Sequence, residues 1–105
     1  MTNYLLLYQG RPDPAWQPTP EQAEAMNQSW GAWIGKHQSS LTDIGAPTGE
    51  RARVGSGEAL PIRGYSVVEA GSLDEAQAMC DGHPFLDNAP ADFSIDVYRL
   101  EPIEM

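Results

Sequence analysis

Two side chains able to exchange a proton or act as a nucleophile, Cys80 and His83, stand close together in "MCDGHPFLD". An imidazole titrates at about pH 6.5 and serves as general acid or base. Asp81 and Asp87 lie near enough in sequence to orient it, so His83 with Asp87 is the candidate acid–base pair. The competing reading needs no chemistry. Gly82 suits a left-handed helix cap, Pro84 stops a helix, and a cation at His83 complements the helix dipole. On that reading the ring faces water or the last helical turn, and its loss costs less than ~1 kcal/mol. Helix termination accounts for Gly82-His83-Pro84 without any chemistry, so a solvent-facing ring is the expectation. Cys80 falls on an apolar stripe with no cation beside it to hold a thiolate, which suits a small core residue.

A second group is aromatic. Met26, Trp30 and Trp33 recur at helical spacing, and such a face either fills a core or lines an apolar or aromatic ligand site. Arg51, Arg53 and Arg63 hold half of the six basic residues. Together they could hold a carboxylate; dispersed, they pair with surface acids at little gain. Neither H-x-x-x-H nor C-x-x-C occurs, and no Gly-rich loop joins a strand to a helix. Neither a metal nor a cofactor is expected.

The elements that must position these groups follow from pattern. "NYLLLYQG" is a short apolar run ended by a breaker, a buried strand. "RPDPAWQPTP" is proline-rich and extended. Thr19, Pro20 and Gln22 form a capping box ahead of Ala23, Met26, Trp30, Trp33 and Ile34, a helix fading near His37. Gly31 and Gly35 inside it cost helix stability, which predicts a packing reason for each. "ERARV", between two glycine turns, alternates and is predicted as a second, edge strand. "RGYSVVEAG" is a third strand. Ser72 and Glu75 cap a second helix whose Leu73, Ala76, Met79 and Cys80 form its apolar face. "FSIDVYRLEPI" alternates Phe93, Ile95 and Val97 with polar residues, a half-buried fourth strand.

The order strand–helix–strand–strand–helix–strand predicts an α+β, ferredoxin-like βαββαβ domain over residues 1–105. Its four-stranded antiparallel sheet carries both helices on one face. The other face needs a cover, and a second copy's sheet is the expected one, giving a homodimer. Net charge is -9, which repels phosphate backbones and argues against nucleic acid. Leu5-Leu6-Leu7 is too short for a signal peptide or a membrane span. With one cysteine, a cytoplasmic protein without disulfides is expected.

The stretches "YLLLYQG", "TPEQ", "WGAWIGK", "DIGAPTG", "LPIRGYSVVEAGSLDEAQAMCDGHPFL" and "IDVYRLEPI" resemble the YCII-related proteins of the dimeric α/β-barrel superfamily, in the DGPF-like branch. The resemblance covers nearly the whole chain. It implies a ferredoxin-like protomer that dimerises through its sheet, with a cleft between sheet and helices. Some relatives are lyase- or dehydrochlorinase-like, and a His–Asp pair is the proposed catalytic group of the branch that names the family. In this chain the matching helix position holds Gln28, which does not exchange protons near neutral pH. The loop that would carry DGPF reads "GSGEALPIRG" instead. Two functions remain open. One is a small-molecule-binding protein using Gln28, Trp30, Trp33 and Arg63; the other is a lyase- or isomerase-type enzyme with His83 in proton transfer.

Overall fold

The computed structural model describes residues 2–11, 17–57, 61–87 and 92–102. The proline-rich reading of 12–16 lies outside them. The elements are β1 (Thr2–Arg11), α1 (Pro20–Lys36), β2 (Leu41–Pro47), β3 (Ile62–Ala70), α2 (Leu73–Ala78), α3 (Pro84–Asp87) and β4 (Asp92–Arg99). The strands form one antiparallel sheet in the order β2-β3-β1-β4. That is the ferredoxin-like arrangement, as expected.

Strand alternation sorts the two faces. Tyr4, Leu6 and Tyr8 of β1 pair with Val68, Ser66 and Gly64 of β3 on one side and with Arg99, Val97 and Ile95 of β4 on the other. Leu6 and Val68 are fully buried, worth about 1.5–3 kcal/mol each. Trp33 and Ala76 bring α1 and α2 onto this same face, with Trp30, Ile34, Met79, Phe85, Ile95 and Val97 packed around them. The opposite face presents Leu5 and Leu7, half-buried, beside Val67, Tyr65 and Tyr98.

The caps form with one change. Thr19 Oγ1 accepts from the Gln22 amide, and Gln22 Oε1 accepts from the Thr19 amide. Ser72 Oγ accepts from the Glu75 amide, but the Glu75 carboxylate reaches one residue further back, to the amide of Gly71. Gly82 takes the left-handed conformation, φ +68. Pro84 then opens the short α3, as suits proline at a first helical position.

Three expectations are corrected. The second strand is "LTDIGAP", and "ERARV" lies in the exposed β2–β3 connection. Alternation there had no hydrophobic side to bury, since Val54 is 99% exposed. β2 escapes notice because it is irregular: its register shifts twice, and Gly45 turns left-handed at φ +80. A Cβ at Gly45 would stand 1.7 Å from the Tyr65 carbonyl oxygen, so only glycine fits. Leu73, at the first position of α2, is 49% exposed and stands outside the core cluster. Finally, a Cβ on Gly31 or Gly35 would meet nothing within 4 Å, so no described neighbour explains either glycine. Among the described residues no helix is long and apolar enough to cross a membrane.

Candidate functional site

His83 is 0% exposed, so the expectation of a solvent-facing ring is overturned. The left-handed turn at Gly82 drives the chain inward, and the imidazole enters the layer between α1 and the sheet. Its ring centroid lies 4.3 Å from Trp33, 4.9 Å from Trp30 and 5.0 Å from Tyr8. Phe85 packs on Tyr8 at 5.1 Å and stacks on Phe93 at 4.6 Å. Trp30 meets the Tyr8 ring edge-on at 5.5 Å. Such edge and offset contacts add stabilisation beyond buried area.

The polar atoms inside this aromatic cluster form one chain of hydrogen bonds. The Phe85 amide donates to His83 Nδ1 at 3.1 Å. His83 Nε2 lies 3.0 Å from the Tyr8 hydroxyl, which donates to Ser66 Oγ at 2.8 Å. Ser66 Oγ donates in turn to the Ile44 carbonyl at 2.7 Å. Its direction is fixed at both ends, because an amide can only donate and a carbonyl can only accept. Nδ1 therefore carries no proton, and Nε2–H donates to Tyr8. The imidazole is neutral, in the Nε2–H tautomer. The chain ties α3, β1, β3 and the edge strand β2 together across the layer. Trp33 adds a link from α1, its indole N–H donating to the Met79 carbonyl at 2.9 Å.

The surroundings reinforce neutrality. Burial, with repulsion from His37 second, pulls His83 down to about 4. Burial pushes the Tyr8 hydroxyl up to about 12, opposed by its bond to Ser66. It also pushes the Cys80 thiol up to about 11, with Asp81 adding to the rise, so Cys80 is a protonated packing residue. At neutral pH the cluster thus holds neutral donors and acceptors and no charge.

The candidate residues divide. Trp30, Trp33 and His83 come together with Tyr8, Ser66 and Phe85, which sequence reasoning did not single out. Tyr8 could have been suspected from a phenol within a buried strand; Ser66 and Phe85 carry no local signal. Gln28 is exposed on α1, and its side chain makes no hydrogen bond among the described residues. Arg63 is exposed on β3, in the alternation of Tyr65 and Val67, and so lies across the sheet from the aromatic cluster. Arg51 and Arg53 are exposed in the β2–β3 connection. Asp87 closes α3, and its side chain lies outside the described residues. Both nitrogens of His83 are already taken by Tyr8 and Phe85.

The sequence matches no family model and no curated protein. Three solved chains are similar to it. One is 5-chloro-2-hydroxyhydroquinone dehydrochlorinase from Burkholderia phenoliruptrix AC1100, in complex with 2,5-dihydroxybenzoquinone. It is 18% identical, with 94% of this chain and 93% of that one covered and a TM-score of 0.58. Another is a dimeric protein of unknown function and ferredoxin-like fold from Bacteroides fragilis NCTC 9343, 17% identical. It covers 94% of this chain and 95% of that one, with a TM-score of 0.43.

Proposed function

We propose that this chain is a YCII-related, small-molecule-binding protein that takes a flat aromatic or quinonoid ligand between its sheet and α1. The observation that carries the reading is the aromatic cluster around one uncharged imidazole–phenol pair. Trp30, Phe85 and Phe93 are half-buried and present aromatic surface at the edge of that cluster. Such surface stacks on planar rings, while a few oriented polar groups fix their orientation. The dehydrochlorinase of similar fold binds 2,5-dihydroxybenzoquinone, a molecule of this class, and supplies the first probe. Binding rather than turnover is favoured because His83, pulled down to about 4 with both nitrogens engaged, is a poor acid and a weak base at neutral pH.

A lyase- or dehydrochlorinase-like activity is the second reading. Its support is the unbroken His83–Tyr8–Ser66 chain, along which a proton could pass once a ligand displaced the Phe85 amide. Thermal-shift titration with hydroxylated quinones and hydroquinones tests both readings. Binding must raise Tm, and the rise must be lost in Trp30→Ala. Product formation in the same mixtures, abolished by His83→Gln, would select the second reading; no Tm rise with any of them would reject the ligand class.

The open sheet face supports a homodimer. Leu5, Leu7, Val67, Tyr65 and Tyr98 form an apolar patch that a second copy's sheet would cover, burying five large side chains per protomer. Light scattering should give twice the 11.5 kDa protomer mass, and Val67→Asp should give the single mass. A wild-type monomer at micromolar concentration would refute the dimer.

A further inference from the structure

The direction of the hydrogen-bond chain has a consequence for the segment that carries His83. Nδ1 is an acceptor only while the ring is neutral. A proton placed there would face the Phe85 amide, donor against donor, at 3.1 Å. Nε2–H is unaffected, since it donates in either state. The cation would also sit among Trp30, Trp33 and Tyr8 in a site with 0% exposure, where an unpaired charge is costly. The remedy closest at hand is to bring the ring out to water. Gly82, left-handed with nothing within 4 Å of a Cβ position, stands immediately before the ring as a pivot.

We propose that His83 is an acid-sensitive latch: a proton taken up at Nδ1 displaces the Phe85 amide and releases the segment from Gly82 to Asp87 from the layer between the sheet and α1. Among the described side chains, no group facing the ring offers a countercharge. On β1 it is Tyr8, protonated throughout, and on β3 Ser66, which does not titrate. The faces of α1 are Trp30 and Trp33, and that helix ends in Lys36 and His37; His37 opposes a positive charge on His83, as Lys36 opposes one on His37. After α2 come Cys80, held as a thiol, and Asp81, exposed to solvent. Release would uncover Trp30 and Tyr8, so acid would open the same cluster proposed above as a ligand site. Only that consequence rests on the ligand reading, and the latch itself is tested without any ligand.

The test is amide hydrogen exchange of the full-length protein from pH 7 to pH 3.5, with rates corrected for intrinsic pH dependence. An opening linked to one proton becomes more populated by about tenfold per pH unit between the ring's open-state and closed-state titrations. Phe85 should lose protection with that slope below pH 6, and at lower cost than Leu6 and Val68 in the sheet. His37→Gln should keep the slope; His83→Gln should flatten it. Equal protection of Phe85 and Leu6 at every pH would mean release only with global unfolding and would overturn the latch. So would a slope abolished by His37→Gln. That last arm decides the matter even if His83→Gln fails to fold.

Discussion

Replacing His83 by alanine separates a histidine that ends a helix from one that is built into the core. The imidazole is fully buried against three aromatic rings. Truncating a buried ring leaves a cavity, and large-to-alanine changes in cores cost about 2–5 kcal/mol. Two hydrogen bonds also go. The Phe85 amide loses its acceptor, and the Tyr8 oxygen loses a donor while its own proton stays on Ser66. Each stranded group adds about 1–3 kcal/mol where water cannot reach it. Relaxation and overlap between these effects bring the expected loss to about 3–5 kcal/mol. That is a large part of the ~5–15 kcal/mol available to a domain. In urea unfolding followed by tryptophan fluorescence and far-UV circular dichroism, the midpoint should fall steeply with little change in slope. A loss under ~1 kcal/mol, the value appropriate to a surface loop, would refute the burial argument.

Three further outcomes follow from particular positions. Unfolded, His83 returns to about 6.5, whereas folded it stands near 4; the unfolded chain therefore binds the proton first. Stability from this group is complete above about pH 6.5 and falls as pH drops toward 4, by up to ~3 kcal/mol. Urea unfolding at several pH values should show that loss in the wild type but not in His83→Gln, and parallel profiles would contradict it. Gly31→Ala and Gly35→Ala should each stabilise by about 0.5–1 kcal/mol, because an added Cβ meets nothing described; destabilisation by either would reveal a partner on that helix face. Gly45→Ala should cost more than ~2 kcal/mol in the same unfolding assay, since φ +80 and the Tyr65 carbonyl both exclude a Cβ, and a neutral result would mean that β2 pairs otherwise.

What could be read from sequence is what local period and capping encode. Thr19–Gln22 and Ser72 set helix starts, and Trp30, Trp33 and Ile34 set the buried face of α1, because each signal lies within a few residues; Met26, on the same stripe, stands outside the core cluster. Alternation likewise placed Phe93, Ile95 and Val97 inward on β4. β2 was hidden, since its threonine, aspartate, glycine and proline have poor strand character and its pairing is bulged. "ERARV" misled because alternation without a core to face is no strand. The environment of His83 was hidden for a different reason: Tyr8, Ser66 and Trp33 come from three distant elements, and none is signalled by "GHP". The same tripeptide that ends a helix in water here turns its ring inward, and only the packed layer reveals it.

The most direct test is the imidazole itself. Nitrogen-15 NMR of the labelled side chain distinguishes a bare Nδ1 with a protonated Nε2 from the reverse tautomer and from the cation. His83 should remain the neutral Nε2–H form from pH 7.5 down to about pH 5, with slow exchange of that proton and a contact to the Tyr8 ring. A ring that titrates near pH 6.5 with averaged tautomers, as in free solution, would contradict the buried, directional chain on which the site rests.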